Sequence, residues 1–123
     1  MGDGPTVARR LAAAASWGDA SLTAHILRTC YVTVGQASEV LYAVAGQGGS
    51  PDVVELLLRA GAELRPFDGR TALHAALGNG HEEIAAALVS AATPDVVATA
   101  VELARANDFG PIARRIEARI SAG

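Results

Sequence analysis

Apolar residues recur along this chain in a pattern that is repeated four times. Each segment opens on one large apolar residue, followed by a pair of mostly small ones, at Leu11, Leu41, Leu73 and Val101. After a turn, each continues with two apolar residues four positions apart: Leu22/Ile26, Val53/Leu57, Ile84/Leu88 and Ile112/Ile116. This spacing is that of one face of an α-helix, so each segment predicts a helix, a tight turn and a second helix.

The turn between the two helices carries a characteristic residue in every segment. Gly18, Gly48 and Gly80 stand there in the first three segments, and Asp108 stands there in the fourth. A tight reversal needs a residue that tolerates positive φ, which glycine adopts freely and Asp tolerates better than most residues. We therefore predict that Gly80 has a positive φ.

Four such helix pairs predict an all-α solenoid in one domain, residues 1–123. No single pair can bury its apolar face alone, so the pairs must stack. The composition agrees, because half of the residues are hydrophobic but only five are aromatic. The abundant alanine favours helices whose backbones approach closely.

Two stretches of the sequence resemble a known repeat family. The stretch "DGRTALHAALGNGHEEIAAAL", from Asp68, resembles an ankyrin repeat, and "PDVVELLLRAGAEL", from Pro51, resembles the end of the preceding one. The resemblance implies an ankyrin-repeat solenoid of about four repeats, with approximate boundaries 6–36, 37–67, 68–92 and 93–123.

The connections between these repeats depart from the family pattern. "GAELRPFDGRT" is shorter than the family's β-hairpin finger, "TCYVTVGQAS" lacks the Gly-Ala-Asp signature, and "SAATPD" leaves no room for a finger. We therefore expect the fingers to be shortened or missing. Thr93 can cap a helix that has Pro94 at its first position, so the fourth inner helix is expected to start early.

His74 and His81, followed by Glu82 and Glu83, raise the possibility of a metal or acid–base site. The resemblance implies that His74, at the start of an inner helix, hydrogen-bonds the Thr71 hydroxyl and a neighbouring hairpin backbone. His81 follows the turn glycine, where its ring can satisfy turn carbonyls. The stretch "HEEIA" begins like a zinc-protease motif, but the second histidine would fall at Ala85. We predict structural histidines and neither a metal nor a cofactor.

Three further residues have competing interpretations. His25 is expected to be partly buried on the packed side of an outer helix, where a pH-sensitive contact is the alternative. Cys30 is expected to pack, because no base or positive field is placed to activate it. Trp17 is either an exposed candidate for partner binding or is tucked under the N-terminal segment. No convergent catalytic set emerges, and we predict that the protein is not an enzyme.

Charge and composition narrow the class of partner and the compartment. The net charge of −3 is mixed along the chain, without a basic stripe for nucleic acid. No apolar run reaches the length that crosses a membrane, and a single cysteine favours a reducing, cytoplasmic setting. All ten cations are arginine, a usage that points to a GC-rich, bacterial genome.

Ankyrin repeats bind partners on a concave face formed by the inner helices and the fingers. The family's contact positions fall on Ala15, Ser16, Ala45, Gly46, Leu77, Gly78, Arg105 and Ala106 in the helices, and on Tyr31, Thr33, Arg65, Phe67 and Arg70 in the linkers. Most of the helix positions are small, so specificity would come from larger side chains. The candidate partner-binding residues are Tyr31, Thr33, Arg65, Phe67, Arg70, Leu77 and Arg105.

The sequence thus predicts a non-catalytic module that binds another protein, as a monomer or a weak homo-oligomer. One alternative is a small-molecule binder or atypical enzyme that uses the groove with His25, Tyr42 or His74. A second alternative is a pure oligomerisation element.

Overall fold

The computed structural model describes residues 3–66 and 71–122, and this part of the chain is all-α, as predicted. It contains eight helices and no strand. The helices are α1 Asp3–Ser16, α2 Ala20–Thr29, α3 Val34–Gln47, α4 Pro51–Arg59, α5 Ala72–Gly78, α6 Glu82–Val89, α7 Pro94–Ala106 and α8 Gly110–Ala122.

The helices form two layers that run along the stack. Each odd-numbered helix contacts the next one, from α1 through α3 and α5 to α7, and the even-numbered helices do the same from α2 to α8. Within each pair, one inner helix packs against the outer helix that follows it. This is the stacked arrangement of a solenoid, in which each unit contacts mainly its neighbours.

The four turn residues have the backbone conformation that the sequence predicts. The φ angles of Gly18, Gly48 and Gly80 are +73°, +83° and +77°, and that of Asp108 is +67°. The predicted positive φ at Gly80 is therefore confirmed. The shared geometry aligns the four inner helices residue by residue from the turn residue, and the outer helices align in the same way once one extra residue after Gly48 is allowed for.

Hydroxyl side chains fix where several helices begin. The Thr33 hydroxyl accepts a hydrogen bond from the backbone N–H of Gln36, so α3 begins at Val34. The Thr93 hydroxyl accepts from the backbone N–H of Val96 at 3.3 Å, with Pro94 in the first turn. The early start expected for the fourth inner helix is confirmed.

The connections between the pairs are short and carry no strand in the described residues. Residues 60–66 follow α4 without regular structure, and α7 begins soon after α6 ends. The prediction of shortened or missing fingers therefore holds for the described chain.

The core lies between the two layers and is built from aliphatic side chains. Its largest fully buried side chains include Leu11, Ile26, Leu41, Leu57, Leu73, Leu77, Leu88 and Ile116. Leu77 is 0% exposed. Its side chain therefore offers no surface to a partner, and the sequence-based assignment of Leu77 to the binding face is corrected to a core role.

Candidate functional site

His74 is a structural connector between two repeats. Its Nδ1 accepts a hydrogen bond from the backbone N–H of Thr71 at 3.1 Å, and the Thr71 hydroxyl lies 3.0 Å from the same nitrogen. Because Nδ1 is an acceptor, the ring proton is assigned to Nε2, which lies 2.7 Å from the Thr99 hydroxyl on α7. The predicted contact with Thr71 is confirmed, and Thr99 is a partner that the sequence did not indicate.

His81 also connects neighbouring repeats. Its Nε2 lies 3.3 Å from the backbone carbonyl oxygen of Gly46, at the end of α3. The ring covers Gly48 so closely that a Cβ there would stand 2.6 Å from a ring carbon. The turn of the second repeat thus requires glycine both for its positive φ and for this contact.

The two histidines do not form a metal site with the glutamates that follow them. Their rings are engaged with different repeats, as described above. Among the described residues, no three His, Cys, Asp or Glu side chains are grouped so that they could hold a metal ion.

Three of the candidate partner-binding residues lie at the edge where the inner helices begin. Tyr31 is 84% exposed in the linker that leads to α3. The Arg65 guanidinium approaches Gly35, beside the Thr33 hydroxyl. Arg65 also donates to Glu63 at 2.9 Å, while both side chains stay mostly exposed. Tyr31, Thr33 and Arg65 form the surface that we call the linker edge.

Thr33 is exposed, but its hydroxyl and its backbone N–H are already engaged in hydrogen bonds within the protein. Its hydroxyl accepts from the N–H of Gln36, while its own backbone N–H donates to the Gln36 side chain at 3.0 Å. This capping box holds the first turn of α3. Thr33 therefore positions the linker edge, and the large exposed side chains there are Tyr31 and Arg65.

Two further candidates, Leu77 and Arg105, are not brought to the linker edge. Arg105 lies on α7 and forms an ion pair with Glu117 of α8, on the outward side of the last helix pair. Leu77 is in the core, as noted above. Phe67 and Arg70 lie outside the described residues.

A shallow groove crosses the surface of three inner helices. It has a volume of about 270 Å³. Small residues of α3 and α5, among them Gly46, Ala75 and Gly78, form its floor, and the polar side chains of Tyr42, Asn79 and Asn107 border it. The Asn107 side chain donates to the backbone carbonyl of Gly78 at 3.0 Å. The sequence predicted the small floor but missed the two asparagines, which precede the turn residues.

His25 and Cys30 lie away from this groove. His25 is exposed on the outer helix α2, so its predicted partial burial is wrong. The equivalent Arg115 of α8 reaches back to the preceding outer helix, whereas α2 has no preceding outer helix among the described residues. Cys30 is half-buried and packs against the core, as predicted.

The two ends of the stack carry different side chains. At the first end, Trp17 is 86% exposed, so the exposed interpretation of this residue is correct, and its role in partner binding stays a prediction. Leu22 at the same end is 41% exposed. We call this surface, with Arg9, Arg10 and Ala13, the first end face. The last end face is formed by Glu102, Arg105, Ala106 and Glu117, with the Arg105–Glu117 ion pair across it.

An ion pair fastens the last outer helix to the third. The Arg115 side chain donates to both carboxylate oxygens of Glu82, and the Nε distances are 2.8 and 2.9 Å. These hydrogen bonds hold the pKa of Glu82 below its ordinary value, although desolvation acts in the opposite direction. The positive charges of Arg115 and Arg119 also lower this pKa.

Stacked helix pairs with positive-φ turns, small inner faces and repeat-bridging histidines define the chain as a helical-repeat solenoid. The chain belongs to the ankyrin-repeat family, because residues 11–100 match the family model described as ankyrin repeats in three copies. Ankyrin repeats are generally protein–protein interaction modules. No curated protein matches this chain. In the described residues, no helix is both long and apolar enough to span a membrane.

Proposed function

We propose that this protein is a non-catalytic module that binds another protein through the inner-helix groove and the linker edge. Two features of the inner-helix layer carry the proposal: the small-residue floor of the groove and the large exposed side chains at the linker edge, where the inner helices begin. The floor lets a partner's helix or extended segment approach the inner helices closely. Tyr31 and Arg65 are residue types that concentrate binding energy at interfaces.

Phe67 and Arg70 complete the proposed contact set on sequence grounds. They follow Arg65 in the connection that leads to α5, so they extend the linker edge along the chain. Phe67 stands between Pro66 and Asp68 in a short connection, where a core role is difficult to fulfil. Arg105 belongs to the last end face and is expected to contribute only if a partner reaches around the stack.

A small-molecule or catalytic use of the groove has weaker support. Tyr42 and His74 both line it, but both ring nitrogens of His74 are engaged with Thr71 and Thr99. A general base must be within reach of the proton that it abstracts. In this structure, the hydrogen bonds of His74 hold neighbouring repeats together and are not directed at a substrate position.

We also propose the finer divisions that the sequence predicts. The repeats are approximately 6–36, 37–67, 68–92 and 93–123, in a single domain. The module acts in a reducing, cytoplasmic compartment of a bacterium, without binding nucleic acid or a membrane. The single cysteine supports the reducing compartment, the mixed charge supports the absence of nucleic-acid binding, and the exclusive use of arginine supports the bacterial source.

The test is a comparative pull-down from the native host, read by quantitative mass spectrometry. We expect proteins captured by the natural chain to be depleted with Tyr31→Ala, Arg65→Ala and Phe67→Ala. Loss of a hot-spot side chain weakens binding by about 1–3 kcal/mol, or roughly 5- to 150-fold. Arg65→Ala is expected to have the smaller, salt-sensitive effect, because rim charges act mainly on the association rate.

Two matched controls separate this surface from the rest of the molecule. Trp17→Ala removes an equally exposed aromatic side chain from the first end face, and Arg59→Ala removes an exposed arginine from the outer helix α4. Both are expected to retain the partner. If the linker-edge variants capture the same proteins as the natural chain, the proposed surface is wrong. If Phe67→Ala lowers the unfolding temperature instead, Phe67 is part of the core.

A further inference from the structure

Three contacts join the third inner helix to the fourth. The ring of His74 lies 2.7 Å from the Thr99 hydroxyl, and the Asn107 side chain donates to the backbone carbonyl of Gly78 at 3.0 Å. Leu103 covers Gly78 so closely that a Cβ there would stand 3.0 Å from the leucine methyl carbon. These contacts define how one repeat docks on the face of the previous one.

The positions that make these contacts are also present on the two end faces. Counted from the turn residues, Arg9, Ala13 and Trp17 occupy on α1 the places of Thr99, Leu103 and Asn107 on α7. Likewise, Glu102 and Ala106 occupy on α7 the places of His74 and Gly78 on α5. All five end-face residues are exposed.

The first end face exposes two apolar side chains, one of them at a position that is covered in other repeats. Leu22 is 41% exposed, whereas its counterparts Val53 and Ile84 are buried. Trp17 replaces the polar Gln47, Asn79 and Asn107 of the other repeats. The side chains at the Trp17 position are exposed in every repeat, so a tryptophan there adds apolar surface that the other repeats do not have.

We propose that the first end face of one copy docks on the last end face of a second copy and continues the solenoid in the same register. Arg9 then faces Glu102, in the place of the Thr99–His74 contact. Ala13 lies against Ala106, and the Trp17 indole N–H donates to the Ala106 carbonyl, as Asn107 does to Gly78. The interface is separate from the linker edge, so the proposal does not rest on the proposed function.

The charges of the two faces favour this pairing over a symmetric one. The first end face carries Arg9 and Arg10 beside Asp19, and the last end face carries Glu102 and Glu117 beside Arg105. Two first end faces would bring the arginines together, and like charges that meet at an interface select against that pairing. A head-to-tail contact instead places an excess of positive charge against an excess of negative charge.

The last end face also has apolar surface next to its charges. Val89, Ala92, Val97, Val101 and Ile120 line a groove of about 530 Å³ beside Glu102 and Glu117. In the proposed register, the beginning of α1, including Val7, lies over this groove. Head-to-tail contacts of this kind remain open at both ends, so the assembly is expected to grow with concentration.

Trp17 gives a direct readout because it is the only tryptophan of the chain. The full-length protein is examined by sedimentation velocity and by tryptophan emission over a concentration series up to about 1 mM, a range that detects even weak affinity. We expect the sedimentation coefficient to rise and the emission maximum to shift to the blue as Trp17 becomes covered. Higher salt is expected to oppose both changes.

Variants on each face test the direction of the contact. Trp17→Ala and Glu102→Arg are each expected to weaken self-association by about tenfold or more, as loss of an interface anchor does. Glu55→Arg, on the outer helix α4, makes the same charge change away from both faces and is expected to associate like the natural chain. Thermal melts verify that each variant is folded.

Mixing the two end-face variants distinguishes a head-to-tail contact from a symmetric one. Trp17→Ala keeps an intact last end face, and Glu102→Arg keeps an intact first end face, so the mixture is expected to form 1:1 dimers that do not grow. Trp17 of the Glu102→Arg variant should then shift to the blue. The proposal is overturned if the natural chain stays monomeric over the series, if Glu102→Arg associates normally, or if the mixture stays monomeric.

Discussion

The first and last helix pairs end the same solenoid in different ways. The first pair exposes Trp17, and it exposes Leu22 at a position that is buried in the second and third pairs. The last pair carries an Arg105–Glu117 ion pair across its outward side. Sequence patterns alone place both pairs in the same repeat class, yet the first pair ends in exposed apolar side chains and the last pair ends in an ion pair beside apolar surface.

The difference is clearest at one repeat position. Leu77 on α5 and Arg105 on α7 are equivalent when counted from the turn residue, and Leu77 is 0% exposed while Arg105 is exposed. A following repeat covers the first of these positions and none in the described chain covers the second. The environment of a solenoid residue is therefore set by the neighbouring repeat as much as by its own repeat.

The largest effect expected from this comparison comes from shortening the two equivalent side chains. Leu77→Ala removes buried methyl groups and leaves a cavity, which should cost about 2–4 kcal/mol of unfolding free energy. Arg105→Ala removes an exposed ion pair and should cost less than about 1 kcal/mol. Urea unfolding of both variants measures the two losses, and equal losses would contradict the difference in environment.

Valine at the turn glycines should separate backbone strain from crowding. Gly80→Val meets Phe109, because its Cβ would stand 2.6 Å from a ring carbon, whereas the nearest atom at Gly18 is the Ser50 Cβ at 3.7 Å. Positive φ costs about 1–2 kcal/mol in both variants, and overpacking adds about 1–3 kcal/mol at Gly80 alone. Thermal and urea unfolding should therefore rank Gly80→Val as the more damaging.

An unchanged stability of Gly80→Val would refute the repeat alignment itself. A loss of equal size at both glycines would mean that Phe109 moves aside without cost. Either result would remove the difference in crowding between the turn at Gly80 and the turn at Gly18.

The smallest expected effect concerns the ion pair that holds the last helix pair in place. Because the folded-state pKa of Glu82 is lowered, its contribution to stability is present above the ordinary value of 4.5 and is lost as the pH falls through the folded pKa. Glu82→Gln should therefore lower the melting temperature slightly near neutral pH. Once the natural chain is itself protonated at Glu82, the two proteins should melt alike.

Glu83→Gln is the matched control, because Glu83 is the exposed neighbour of Glu82 on α6. It should melt like the natural chain at every pH. The Glu82→Gln difference should also shrink at high salt, since exposed charges are screened. A difference that persists in acid would show that the carboxylate's charge is not its cause.

The amino-acid sequence by itself determined the number, order and turn geometry of the helix pairs. Apolar spacing is a local property, and the positive φ at Gly80 and Asp108 follows from the residue types that tolerate it. The contact of His74 with Thr71 lies within one turn of helix, and it was predictable for the same reason.

Only the tertiary structure decided which positions are covered. It buried Leu77, which the family pattern assigned to the binding face, exposed His25, and supplied Thr99 as the second partner of His74. It also left Leu22 partly exposed, whereas its counterparts Val53 and Ile84 are buried. These outcomes depend on whether another repeat lies against a given face. A periodic sequence places similar residues at equivalent positions, and it does so whether or not a neighbouring repeat covers them.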